Sequence, residues 1–190
     1  MIVDALLTGE QIIDVRKGGL REDGRHFGLR STRFWLYPTY LHQKPELLKP
    51  AYRHALDETL AAAPPDTVVR IPGWAEVVGV ATVTDPDDLA TLDSKFIWTS
   101  DYAASRLHWK KRDPLWVLAL RVHCLTQPIE VEFDEAYAGC TSWVDVTGVP
   151  DDPATVPSTP ALSDETFAAR LGGVRDALPV EFEPAPGSDP

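Results

Sequence analysis

Residues 115–125 read Leu-Trp-Val-Leu-Ala-Leu-Arg-Val-His-Cys-Leu, an almost continuous apolar run that predicts a strand buried on both faces. Beyond Gln127-Pro128, residues 129–133 alternate Glu130 and Glu132 with apolar positions, the pattern of a half-exposed edge strand. Residues 68–71 and 74–83 read as two strands around Pro72-Gly73, and Gly79 inside the second marks a bulge, a barrel corner or a close backbone approach. Residues 2–7 and 11–15, two short apolar runs on either side of Thr8-Gly9-Glu10, predict a β-hairpin. The aromatic run Phe34-Trp35-Leu36-Tyr37, stopped by Pro38, and residues 142–146 complete the predicted strands.

Between residues 44 and 63 the period changes. Leu48, Tyr52, Ala55, Leu56, Thr59 and Leu60 recur at three- and four-residue spacing, and Pro64-Pro65 ends the helix they predict. Pro50 separates a short leading turn from the main helix, because an interior proline lacks the backbone donor. Asp85-Pro86-Asp87-Asp88 predicts a turn or short helix, and Thr99 or Ser100 an N-cap for a helix over residues 101–111. Residues 148–160, rich in Pro, Asp and Thr, read as a linker or a tightly draped surface segment. Ser163 then caps a helix, at about residues 163–178, with a single apolar stripe of Phe167, Leu171, Val174 and Leu178. That stripe predicts docking on the chain's own domain, or on a protein partner. Residues 179–190 are predicted to be disordered. The expected division is an α+β domain at 1–147 and an acidic, Pro-rich tail with its docking helix at 148–190. Strands without regular βαβ alternation, two interposed helices and a C-terminal helix indicate a small curved mixed or antiparallel sheet, or a partly closed barrel.

The 190 residues are 44% hydrophobic and 25% charged, enough to bury a core and to exclude disorder throughout. No apolar run reaches the roughly 18 residues of a membrane span, and Met1-Ile2-Val3-Asp4 lacks the order of an export signal, so a cytoplasmic location is expected. Cys124 and Cys140 cannot build a disulfide framework, and their apolar surroundings predict small buried thiols. The net charge of -11 is unevenly placed: residues 1–123 balance 16 Lys and Arg with 16 Asp and Glu, and residues 124–190 hold 2 against 13. Residues 16–53 carry nine basic side chains against three acidic ones, and Arg106, Lys110, Lys111 and Arg112 form a second cluster around His108 and Trp109. Local potential rather than net charge attracts phosphate, so the two clusters could line an anionic-ligand groove, or be solvated faces.

Arg16-Lys17-Gly18-Gly19 lacks the spacing of a dinucleotide or Walker loop, but glycines after a strand can aim backbone N–H groups at an anion, with Arg16, Lys17 and Arg21 supplying charge. Tyr37-Pro38-Thr39-Tyr40-Leu41-His42-Gln43 sets aromatic faces, a hydroxyl, an imidazole and a carboxamide after a strand, the groups that hold an unstacked base. Phe34 and Trp35 are expected to serve the core. The five histidines show no metal-ligand spacing, and neither metal nor cofactor is expected. Asp88 with Asp93-Ser94-Lys95 nominally matches a magnesium-nuclease element, but outside the strands such an element requires. His42 is the candidate general base should the surface be catalytic, as a hydrolase or phosphodiesterase.

The order of Ala5-Leu6-Leu7 through Arg16-Lys17-Gly18-Gly19-Leu20-Arg21-Glu22, then Phe34 to Tyr40 with His42-Gln43, and later Pro114-Leu115-Trp116-Val117-Leu118, resembles the bacterial domain-of-unknown-function family number 1802 over residues 1–146. The resemblance implies no established activity; some members look to be joined to restriction-endonuclease-like domains, which implies nucleic-acid defence. The strand order also looks like that of the PUA and ASCH barrels, which bind RNA or modified bases, a fold-level analogy. The resulting expectation is a nucleic-acid or nucleotide-binding module. Arg16, Lys17, Gly18, Gly19 and Arg21 would lie at phosphate, Tyr37, Thr39, His42 and Gln43 at the base or sugar, and Arg106 and Lys110 on the opposite side. The remaining alternative is a protein-interaction module with an acidic autoinhibitory tail.

Overall fold

A computed structural model describes residues 1–16, 31–39, 44–101, 114–137 and 143–185. Two long strands organise them. Strand β3 (Val68–Val83) pairs antiparallel with β4 (Leu115–Glu132). The other edge of β4 holds β1 (Ile13–Arg16) and, further along, β5 (Ser158–Pro160), and the other edge of β3 holds β2 (Arg33–Trp35). The order β1-β4-β3-β2 makes an open antiparallel sheet in which β1 and β2 stand on opposite edges, so of the two forms expected for the α+β fold the antiparallel sheet is adopted and not the partly closed barrel.

The prolines expected to interrupt the strands instead deform one ladder. Ile71 pairs with Ile129 and Gly73 with Cys124, so Pro72 alone faces the four residues 125–128, which include Pro128. A proline cannot donate to a ladder and is tolerated at such an irregularity, where the strand bends without ending. Gly73 must remain glycine there, because a Cβ would collide with the His123 carbonyl oxygen and with Leu7. At Gly79 two of the anticipated roles coincide. Val77 pairs with Leu120 and Gly79 with Ala119, leaving Val78 bulged, and a Cβ on Gly79 would lie 3.3 Å from Phe182.

Residues 2–7 form helix α1 (Ile2–Leu7), not the first strand of a hairpin. Ile2 with Leu6, and Val3 with Leu7, recur at four-residue spacing, and the helix lays this stripe on Leu36, Ala75, Val77 and Val122 of one sheet face. Ala5, on another side of α1, meets Leu48, Leu56 and Ile97, which brings in helix α2 (Pro50–Ala61). A short 3₁₀ turn, Pro45–Leu47, precedes α2 as the position of Pro50 anticipates. Helix α3 (Pro86–Ala90) is capped by Asp85, whose carboxylate accepts from the Asp87 N–H at 2.9 Å.

Helix α4 (Asp164–Ala177) is capped by Ser163 and covers the opposite sheet face. Val174 and Leu178 are buried with Ile13, Ala81, Val83 and Val117, and Phe167 and Leu171 pack beside them, so the apolar stripe is spent on the chain's own core. Residues 148–160 drape over the sheet, pinned by β5 and by buried Pro153. Residues 179–185, expected to be disordered, run back along β3: Val80 and Glu183 exchange backbone hydrogen bonds at 2.9 and 2.8 Å, and Ala185 is buried. Residues 143–146 form no strand. The predicted helix over 101–111 and residues 186–190 lie outside the described residues, apart from Asp101.

Candidate ligand-binding site

Of the residues singled out from sequence, Arg16, Tyr37 and Thr39 lie among the described residues; Lys17, Gly18, Gly19, Arg21, His42, Gln43, Arg106 and Lys110 lie outside them. Arg16 ends β1, paired with Trp116, and its Nε donates to the carboxylate of buried Asp14 at 2.5 Å. Tyr37 follows β2 on the opposite edge, with β4 and β3 between, a lateral separation of roughly 14 Å at ordinary strand spacing, and the register sets Trp35 level with His123, seven residues along β4 from Trp116 or roughly 23 Å, so the structure does not bring Arg16 and Tyr37 together. The ends of β1 and β2 that bracket the basic residues 17–30 therefore stand on opposite edges of the sheet.

Tyr37 packs in a cluster with Val69, Ile71 and Val131, and its ring meets Tyr137 edge-on at 5.9 Å. Its hydroxyl is buried and has no hydrogen-bond partner among the described residues. Burial, then the neighbouring Tyr137 and Asp134, push its pKa up, so it is a neutral donor at physiological pH. The Tyr137 hydroxyl is used: it donates to the Asp145 carbonyl at 3.0 Å and lies 3.1 Å from the Thr147 hydroxyl. Thr39 is exposed at the end of this segment.

A second group of polar residues stands on the sheet face that α4 covers. That face continues from Ala81 and Val117 past the helix N-terminus to Arg121 and His123 of β4, Glu76 and Trp74 of β3, and Arg33 and Trp35 of β2. Arg33, Glu76 and Arg121 are cross-strand neighbours, as are Trp35, Trp74 and His123. Arg121 donates to Asp164 at 2.5 Å and lies 4.6 Å from the centroid of Phe167. Arg33 Nε donates to Glu76 at 2.9 Å. The indole N–H groups of Trp35 and Trp74 donate to the draped segment, at the Pro150 carbonyl and the Ser158 hydroxyl, each at 3.0 Å. His123 lies flat on Trp74, and burial, reinforced by Arg121, pushes its pKa down.

Sequence reasoning counted Arg33 among the basic residues but did not assign this face a role. The available signal was the spacing Arg121, His123 within an otherwise apolar strand: polar residues two apart share a face, so part of that face had to be open. Trp35 divides its ring between the cluster around Ile71 and its bond to the draped segment, and Phe34 packs edge-on against Trp143 at 5.0 Å.

The nominal nuclease element is structural. Asp88 lies on α3, and the 3₁₀ turn Asp93–Lys95 is clipped to the start of α2 by Lys49, which reaches the Asp93 carboxylate at 3.1 Å and the Phe96 carbonyl at 3.0 Å. Hydrogen bonds from Ser100 and then Lys49 hold the Asp93 carboxyl below its ordinary pKa against the opposing effect of burial. Among the described residues no group of three or more His, Cys, Asp and Glu side chains could hold a metal ion. None of their helices is long and apolar enough to cross a membrane. Cys124 is a half-buried thiol 3.5 Å from the Leu7 carbonyl, and burial pushes its pKa up, the direction that suppresses thiolate chemistry.

A family model described as Domain of unknown function (DUF1802) matches residues 1–172, and the chain belongs to that family. The match passes beyond the 146 residues over which the motifs carry the resemblance, through β5 and into α4, elements that pair with the sheet and pack on it. No curated protein and no solved structure matches the chain.

Proposed function

We propose that this protein is a nucleic-acid or nucleotide-binding module. Arg16, Lys17 and Arg21, with the backbone of Gly18 and Gly19, contact phosphate; Tyr37, Thr39, His42 and Gln43 contact the base or sugar; Arg106 and Lys110 supply charge from the other side. The observation that carries the reading is the Tyr37 hydroxyl, a buried donor without a partner among the described residues, at the head of the segment ending in His42 and Gln43. An unsatisfied buried donor costs about 1–3 kcal/mol, a cost that a bound acceptor removes. The six-unit excess of positive charge over residues 16–53 supports an anionic ligand.

Fluorescence anisotropy against single- and double-stranded DNA and RNA tests the proposal. Affinity falls steeply with added salt, as counterion release requires, and is lost when Arg16, Lys17 and Arg21 are changed together to Ala. Salt-independent binding, or none, overturns it. Turnover of the bound strand that His42→Ala abolishes would replace the module by the hydrolase reading.

A further inference from the structure

Arg33 and His123 occupy the same sheet face with hydrogen-bonding capacity that the described residues do not use. Glu76 fixes the Arg33 guanidinium through Nε, but the Asp152 carboxylate lies 3.7 Å from its Nη1, an ion pair too long to be a hydrogen bond. The Arg33 side chain is 42% exposed, and its two terminal nitrogens, which donate no hydrogen bond to the described residues, form the fork that takes phosphate in bidentate fashion. His123 is half-exposed, and neither of its ring nitrogens has a hydrogen-bond partner among the described residues. The ring is nevertheless fixed in orientation by its stack on Trp74, itself anchored by Ser158.

We propose that this window of the sheet is a phosphate and base subsite for single-stranded nucleic acid. A phosphate takes the terminal nitrogens of Arg33 in place of Asp152, and the adjoining base hydrogen-bonds the free edge of His123. The inference rests on the nucleic-acid reading above and adds a regulatory element to it. Asp152 belongs to the acidic C-terminal third and is held as the N-cap of a turn, its carboxylate accepting from the Ala154 N–H at 3.0 Å, so the competing anion is built into the draped segment. Arg121 is not a ligand contact here: only 11% of its side chain is exposed, and Asp164 and Phe167 engage it. Its charge sets the potential around His123.

The test uses the full chain and a fluorescein-labelled oligothymidylate or oligouridylate of about 15 nucleotides, a length within the site sizes of single-strand binders. Asp152→Asn retains the capping oxygen and tightens binding about threefold at low salt. Arg33→Gln weakens it about fivefold and lowers the salt slope by about one ion, the signature of a lost phosphate contact. His123→Gln weakens binding about threefold at an unchanged salt slope, as a base contact requires. Arg33 and Asp152 are exposed, so their variants melt with the parent. If Asp152→Asn and Arg33→Gln leave affinity unchanged while the Arg16, Lys17 and Arg21 variant abolishes it, this subsite is overturned and the module reading stands. If the parent protein binds neither probe, this subsite is overturned, and the module reading is overturned with it only if the double-stranded DNA and RNA also fail to bind.

Discussion

The imidazole of His123 lies flat on the indole of Trp74, with ring centroids 3.9 Å apart and planes within 2° of parallel. The two residues are cross-strand partners on β4 and β3, next to the irregularity at Pro72, and Trp74 is almost fully buried. Burial is the main reason the His123 pKa falls, and the positive charge of Arg121 acts in the same direction, while Glu76 opposes them. Arg33 also disfavours the cation.

A lowered folded-state pKa means that the unfolded chain binds the proton more readily, so this residue's contribution to stability is complete above the ordinary histidine value and is lost as pH falls through the folded one. The melting temperature should therefore decline as pH drops below about 6.5, ahead of most carboxylate titration. His123→Phe keeps the stack and should remove that part of the decline. A parent and variant with superimposable pH profiles would show that the stack does not carry the linkage.

Gln11 should be among the least replaceable polar residues. It is buried, its amide donates to the Ile13 carbonyl at 2.6 Å, and its oxygen accepts from the Ile97 N–H at 3.0 Å, tying the start of β1 to a segment 86 positions away. Gln11→Ala orphans that N–H and opens a small cavity, at a combined cost of about 2–4 kcal/mol by urea denaturation. A loss below about 0.5 kcal/mol would mean that solvent reaches the Ile97 amide.

The parts of this fold that were legible from sequence are those where one physical term dominates. The apolar run of residues 115–125 and the β-branched run before it could only be buried strands, and the Phe167, Leu171, Val174, Leu178 stripe could only be a docked helix face. The first helix was misread because six residues, Ile-Val-Asp-Ala-Leu-Leu, fit either period; burial on both Ala5 and Leu6 sides, between the sheet and α2, decided it. Pro72 and Pro128 were located correctly as disruptions, but their consequence depended on the register between two strands that are distant in sequence. The same holds for the candidate site. Tyr37 was visible as an aromatic at a strand end, whereas the grouping of Arg33, Glu76, Arg121 and His123 exists only because three strands align in one register.

Helix α4 should be needed for the stability of the whole sheet. Leu178, 4% exposed, and Val174, 1% exposed, share a cluster with Ile13, Val83 and Leu115 from three different strands. Leu178→Ala should cost about 2–4 kcal/mol, as for other buried large-to-small changes, and unfolding should remain a single transition. A separate early transition confined to the C-terminal third, seen by hydrogen exchange, would indicate that α4 rides on the sheet without supporting it.

Tyr37 separates stability from binding in one substitution. Its hydroxyl is buried without a partner among the described residues, so none of them offsets the desolvation of that group. Tyr37→Phe keeps the edge-on contact with Tyr137 and the packing on Ile71, and should leave stability unchanged or raise it by up to about 1 kcal/mol. If the hydroxyl is kept for a ligand, the same variant should bind oligonucleotide about three- to tenfold more weakly, one hydrogen bond's worth. Binding must then fall while stability does not. A variant that is less stable and binds equally well would place a hidden partner on the hydroxyl and make Tyr37 a core residue alone.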